Sequence, residues 1–323
     1  MTDTLKLEED LQASSPEIPL ALSRAGVTGV QKAIRIRRGD ASTVMAAVID
    51  CTVDLAQDQK GVHMSRFPEL FEEAIELVVE EEALLVEVLA EHIASRIVER
   101  QRALRAEVWI RAQWPIHRRT PVTGLATQEM VTLCGIATAS EAGARRVVGV
   151  EATGINACPC AQGLVRNRAS ERLLEAGFDT DDIEKILDLV PIATHNQRGR
   201  QTLFVGTEQD LDAEVLLEVA ERSMSAPIYD LLKRPDELFV VEHAHLQPRF
   251  VEDSVRHALR DAVETLPQLE DGDFLLSRQV NFETIHVHDV VAERFGTVGE
   301  LRQELTGGVP SPGQTSLADW LRA

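Results

Sequence analysis

The residues of this 323-residue chain best suited to chemistry are a cysteine pair around one proline, Cys158-Pro159-Cys160, and four histidines in unusual local company. A thiolate is a soft metal ligand or, where its pKa is lowered, a nucleophile. The spacing is not the Cys-x-x-Cys of redox or zinc-knuckle motifs. His63 stands in Gly61-Val-His-Met-Ser-Arg-Phe67, His195 in Thr194-His-Asn-Gln-Arg-Gly199, and His286 and His288 in Ile285-His-Val-His288. Read as strand, the last pair points to one face about 7 Å apart, with Ile285 and Val287 buried opposite. Two further segments, Lys233-Arg-Pro-Asp-Glu237 and Phe250-Val-Glu-Asp253, set carboxylates beside a proline or a helix start. Glu252, in the first turn of a helix, is favoured as an anion. It could receive an N–H/NH₂ edge, such as guanine's, through two parallel hydrogen bonds. Each feature also has a plainer reading: thiols in a loop, solvent-facing histidines, a capping carboxylate. Together, Cys, His, Glu and paired His suit one catalytic divalent metal. His92, His117, His243, His245 and His257 read as surface or satisfied core, and Cys51 and Cys134, in apolar runs, as small core hydrophobes.

Charge narrows the partners. The net charge is −20, from 53 acidic and 33 basic residues, and lysine occurs only at positions 6, 32, 60, 185 and 233. No basic face is available for nucleic acid or an anionic membrane. A small phosphorylated substrate requires a local basic pocket or a metal. The lysine-poor acidic balance fits either adaptation to high salt or a GC-rich genome with an ordinary solubility charge. Apolar residues make up 44%, enough for a sizeable core. The apolar run Val44 to Ile49 is among the longest, far short of the ~18 residues of a membrane span. The acidic amino terminus is not a signal peptide, so a cytoplasmic protein is expected. No glycine-rich phosphate loop is present.

The elements that must position these groups follow from periodicity. A polar arm covers residues 1–26. Lys32 to Arg37 alternates, Gly39-Asp40 turns the chain, and Val44 to Leu55 is a strand. Phe67, Leu70, Phe71, Ala74, Ile75 and Val78 mark a helix, which Glu80 to Glu82 interrupts; Leu85, Leu89, Ile93 and Ile97 mark a second. Leu104 to Trp114 alternates strictly, and Pro115 stops it. Thr127 to Ala139 and Arg146 to Thr153 are strands. Two helices, Arg168 to Ala176 and Asp181 to Leu189, form an insertion over 161–193. Gln201 to Glu208 is strand, Asp212 to Ser223 helix, Pro227 to Leu232 a turn, Arg249 to Leu266 helix, and Phe274 to Val280 and Ile285 to Val291 strands. The tail, 296–323, holds one short helix and the Gly/Pro-rich stretch Gly307 to Gly313. The order is strand-strand-helix-helix-strand-strand, given twice, over 27–140 and 145–292. Antiparallel strands with paired helices on one face make an α+β architecture.

Six segments in this order carry a resemblance: Gly61–Phe67, Cys158–Cys160, Thr194–Arg198, Leu231–Glu237, Phe250–Asp253 and Asn281–His288. From about residue 25 to 295 the chain resembles the metal-dependent GTP cyclohydrolases of the type IB and archaeal type IV (MptA) group. The resemblance implies the tunnelling fold: two ββααββ modules, here a bimodular catalytic domain over 27–295, in a homo-oligomer (dimer or tetramer) that closes into barrels. It implies GTP as substrate, opening of the guanine imidazole ring and release of formate from C8. Cys158, His195 and Glu237 match positions at the metal, and Glu252 the carboxylate that anchors guanine. Cys158, His63, His286 and His288 match active-site positions. One divalent metal per subunit is implied, Fe(II) foremost, with Zn or Mn(II) open. Local charge suggests that Arg66, Arg198, Lys233 and Arg234 hold the triphosphate. The long connection from Ala161 to Ala193 is similar to the MptA branch, whose product is 7,8-dihydroneopterin 2′,3′-cyclic phosphate with pyrophosphate. The alternatives are the type IB product, dihydroneopterin triphosphate, and a non-enzymatic metal-binding protein of the same fold.

Overall fold

Alternating apolar residues build long strands. In the computed structural model, which describes residues 12, 14–38, 41–80, 85–101, 103–307 and 313–322, the first module runs β1 (Leu22–Arg38), β2 (Ala41–Leu55), α1 (Arg66–Glu80), α2 (Val86–Gln101), β3 (Arg105–Arg119) and β4 (Ala126–Ser140). The second runs β5 (Gly143–Ala157), α3 (Pro159–Glu175), α4 (Thr180–Leu189), β6 (Asn196–Gly206), α5 (Ala213–Arg222), β7 (Ala226–Pro227), α6 (Arg234–Leu246), α7 (Val251–Thr265), β8 (Phe274–Asn281) and β9 (Val290–Thr297). The tail adds α8 (Val298–Leu305) and α9 (Leu317–Trp320), one helix more than its sequence suggests. The Gly39-Asp40 turn, residues 1–11 of the arm, the break after Glu80 and most of the Gly307 to Gly313 stretch lie outside the described residues. No helix of the described residues is long and apolar enough to cross a membrane.

All pairings are antiparallel, in the order β1-β2-β3-β4-β5-β6-β8-β9, with β7 paired to β5. The helices cover one face. There Ile49, Ile110, Val150 and Leu203 meet Leu89, Ile93, Ile97 and Leu216 in one buried cluster. On the opposite face the tail returns: Trp320 and Leu321 pack with Ile136, Val147, Phe204 and Phe274. Cys51 and Cys134 are buried in the sheet. Burial pushes both thiols up, Cys134 to about 12, so they stay protonated as inert core groups.

Several elements differ from their sequence reading. Pro115 does not stop β3, which continues to Arg119. The pairing of β2 with β3 ends at Ala112, so beyond it β3 has a neighbour on one side only, where a residue without an N–H is tolerated. A helix the sequence reading did not assign, α6, follows the Pro227 to Leu232 turn. Ile285 to Val291 is not one strand: β9 begins at Val290, and 282–289 connect it to β8. β1 also begins within the polar arm, at Leu22.

Strand direction fixes where everything else can be. The last residues of β3, β5 and β8 and the first residues of β4, β6 and β9 share one end of the sheet. Strands of 15 residues put the two ends about 50 Å apart.

Candidate active site

β5 ends at Ala157, and the next residues start a helix. Cys158 (φ −77°, ψ 116°) is the cap of α3, and Pro159 opens its first turn, where a missing N–H costs little. The thiol accepts from the Ala161 N–H at 3.5 Å. Cys158-Pro-Cys160 is therefore a helix start, with Cys158 half-buried and Cys160 exposed. The α3–α4 hairpin leaves and returns at one point. The Cys158 N–H donates to the His195 carbonyl at 3.1 Å, and the Thr194 hydroxyl donates to the Cys158 carbonyl at 2.8 Å.

Beyond β8 the chain stays beside β6 for three residues. The Phe282 N–H donates to the Arg198 carbonyl at 2.9 Å and the Thr284 hydroxyl to the Asn196 carbonyl at 3.3 Å. That lays Glu283 against His195: Oε2 is 3.7 Å from Nδ1, and the two side chains are only 6% and 13% exposed. Gln197 spans them, its Nε2 donating to Glu283 Oε1 at 3.1 Å and its Oε1 3.1 Å from His195 Nδ1. Neither Gln197 nor Glu283 stands out in the sequence by type. The signal for Gln197 is its place two residues beyond His195 on a strand, hence on the same face.

Glu252 is exposed in the first turn of α7. Two bonds pin it beside Cys158. The Arg249 N–H donates to the Ala157 carbonyl at 3.0 Å, and Asn156 Nδ2 donates to Ser254 Oγ at 2.9 Å. Glu237, also exposed, lies in the first turn of α6. Its neighbour Asp236 is buried and fixes that turn. Oδ1 accepts the N–H groups of Val122 and Thr123, both at 2.9 Å. Oδ2 accepts the Thr123 hydroxyl at 2.6 Å and the Lys233 N–H at 3.0 Å. Burial alone would raise the Asp236 pKa, but these four donors outweigh it and hold the carboxyl well below the usual carboxylate range. The ionised Asp236 ties α6, and with it Lys233, Arg234 and Glu237, to the β3–β4 turn at this end of the sheet.

His286 and His288 lie at the same end, on the β8–β9 connection. Their rings stack 5.3 Å apart at 17°. Ile285 and Val287 are not buried opposite them but 61% and 107% exposed, because no strand pairs this segment. Arg198 faces away from Gln197, exposed on the other side of β6. His63 and Arg66 are not brought to this cluster. The Gln101 side chain donates to the His63 carbonyl at 3.0 Å, and Arg66 donates to the Arg100 carbonyl at 3.3 Å. Both therefore sit where α2 ends and β3 begins, at the far end of the sheet. Two clefts, of about 750 and 700 Å³, lie between α2 and α5 and among α5, α6 and α7; Cys158 and His195 line neither.

A metal would need donors from several segments. Cys158, His195 and Glu283 supply a thiol, an imidazole and a carboxylate on adjoining stretches, the donor types of Zn and Fe(II) sites. Glu237 adds a carboxylate from α6 at the same end. The donor chemistry fits a divalent ion. Among the described residues, however, no three His, Cys, Asp or Glu groups are gathered closely enough to hold one.

A family model described as type I GTP cyclohydrolase folE2 matches residues 9–292. A protein named GTP cyclohydrolase MptA from Methanococcus aeolicus is 40% identical over 305 residues, covering 92% of this chain and 99% of that one. One of the same name from Methanocaldococcus jannaschii is 40% identical over 304 residues, covering 92% and 97%. Among solved structures, uricase from Arthrobacter globiformis superposes with a TM-score of 0.52 at 9% identity, over 85% of this chain and 93% of that one. That likeness concerns the fold alone, and it is the tunnelling fold of uricase-like proteins.

Proposed function

Since the chain belongs to the type I GTP cyclohydrolase family, whose members are hydrolases acting on cyclic amidines, we propose that it converts GTP to 7,8-dihydroneopterin 2′,3′-cyclic phosphate, with release of formate and pyrophosphate, at the head of pterin biosynthesis. The reading is carried by one observation: the segments that bear Cys158, His195 and Glu283 meet where β5 and β8 end and β6 begins, with the first turn of α7, which bears Glu252, tied beside them.

Each group has work to do there. Glu252 receives the N1–H and 2-amino group of guanine through paired hydrogen bonds, which directs C8 of the base toward the thiol and imidazole. Lys233 and Arg234, held by the Asp236 anchor, and Arg198 on the rim offset the repulsion between a triphosphate and a chain of charge −20. His286 and His288, exposed at the mouth, supply protons to N7 and to the departing nitrogen as general acids. Cys158, His195 and Glu237 would hold a divalent ion, Fe(II) foremost, which would supply an activated water. His63 and Arg66, at the far end, receive no role in this chain's own site.

The cyclic phosphate is favoured over the triphosphate by the α3–α4 hairpin between Cys158 and His195 and by the name shared by the similar proteins. Anaerobic incubation of Fe(II)-loaded protein with GTP, followed by mass analysis, tests the reading. A cyclic-phosphate mass with stoichiometric formate is expected. Dihydroneopterin triphosphate would move the chain to the type IB reaction, and absence of formate would end the assignment.

A further inference from the structure

The cleft of about 750 Å³ between α2 and α5 lies on the seam of the two modules and has the size of a small-molecule pocket. Its two walls differ in chemistry. The wall from β2 and β3 is apolar, with Met45, Trp114 and Ile116. The wall from α5 is acidic. Glu214, Glu218 and Glu221 follow one another at i, i+4 and i, i+3 spacing, which sets successive Cβ atoms about 5–6 Å apart in one row. Asp212, the cap of α5, extends the row. Arg118 is the only Arg or Lys among the described lining residues, and Glu129 and Glu221 already pair with it.

Glu87 lines the same cleft from the start of α2. It is 2% exposed, and its Oε1 meets no hydrogen-bond donor. Its own backbone N–H and the charge of Arg146 favour the anion, but burial outweighs them and raises the pKa to about 7. A buried acceptor without a donor is destabilising, and an ammonium group brought in through the cleft removes the defect. A metal ion answers only the acidic wall. A chain of ammonium groups separated by short methylene runs answers both walls, and an indole ring such as Trp114 is the best aromatic neighbour for a cation.

We propose that this cleft binds a linear polyamine, one ammonium group donating to Glu87, a second beside Glu218, and the methylene runs between them lying along Met45, Trp114 and Ile116. The site is independent of the GTP reading, since Cys158 and His195 line no part of the cleft. A ligand held by α2 on one side and α5 on the other stabilises the folded chain by mass action.

The test uses the full chain with neither metal nor GTP, and spermidine as the probe. Calorimetry and tryptophan fluorescence are read at fixed ionic strength, because a chain of charge −20 attracts any polycation weakly over its whole surface. The expected result is one site per chain, a fluorescence change that Trp114→Phe abolishes, and a melting temperature that rises with spermidine. Glu87→Gln should bind about 10–150-fold more weakly. Glu218→Gln, on the exposed rim, should lose a smaller factor, and Glu175→Gln, an exposed carboxylate of α3 outside the cleft, should bind as the wild type does. Circular dichroism checks that each variant folds; Glu218→Gln and Trp114→Phe decide the matter if Glu87→Gln does not. Wild-type affinity in folded Glu87→Gln overturns the proposal. So does equal weakening in Glu218→Gln and Glu175→Gln, or full displacement by Mg(II) at matched ionic strength, either of which reduces the binding to surface screening.

Discussion

Glu252 shows how a single exposed side chain can be committed to a task by its neighbours. It makes no bond that stabilises the fold, yet Arg249 and Ser254 on either side of it are tied to residues 157 and 156. Glu252→Gln should therefore melt with the wild type. Its amide offers one acceptor oxygen and sets an NH₂ donor against the second N–H, and a hydrogen bond to a charged group is worth about 1.5–3 kcal/mol. kcat/KM for GTP should fall by about 10–150-fold, mostly through KM; an unchanged KM in steady-state assays would take the guanine from this residue. Residue type and spacing single out Cys158, His195, Glu237 and Glu252, and the fold sets all four at one end of the sheet. Glu283 and Gln197 were not legible as participants. A buried carboxylate and its amide partner are marked by what surrounds them, and the strand register that joins β6 to the run past β8 is a long-range property. The reverse error concerns His286 and His288, whose alternation with Ile285 and Val287 imitates a strand in a segment that has no partner to pair with.

The secondary elements were the most legible layer, because period-2 and period-3.6 patterns report directly on which face is buried. The exceptions have local causes. α6 was not assigned from its residue pattern, and the signal that starts it is Asp236 accepting the Lys233 N–H. α3 extends back to Pro159 because Cys158 caps it with sulfur rather than oxygen. The seating of α2 on the sheet carries a prediction of its own. Its first turn lies so close to β4 that a Cβ on Gly135 would come within 2.5 Å of the Val86 carbonyl oxygen. This close seating buries Glu87, whose Oε1 has no hydrogen-bond partner. Burial raises its pKa to about 7 from an ordinary 4.5, against the pull of Arg146. Between those values the folded chain holds a proton that the unfolded chain has released, so stability is lost as pH rises from 5 through 7. The loss is on the order of 3 kcal/mol. Glu87→Gln has no such charge to bury. Its denaturation midpoint should match the wild type near pH 5 and exceed it at pH 8; parallel pH profiles for the two proteins would show that Glu87 is not the group responsible.

At the scale of the whole molecule the open question is the sheet's edges. Among the described residues β1 and β9 each pair on one side only, leaving a row of free N–H and C=O groups on strands of 17 and 8 residues. Such edges are covered in stable proteins, and their antiparallel directions allow β9 of one copy to continue into β1 of the next. A closed ring of such copies removes every edge. On this argument we expect a homo-oligomer in solution, and light scattering should give a molar mass that is a multiple of 35.7 kDa. Backbone N–H groups alternate sides along a strand, so of the neighbours Val291 and Ala292 one donates toward β8 and the other toward the open edge. Proline at the inward position breaks β8–β9 pairing and destabilises the chain. At the outward position it leaves this pairing intact but removes a donor from the next copy's β1 and sets its ring in the way. One of Val291→Pro and Ala292→Pro should therefore stay folded by circular dichroism and scatter as a smaller species. If the folded variant keeps the wild-type molar mass, β9 is not the joining edge and the barrel must close, if at all, through another surface.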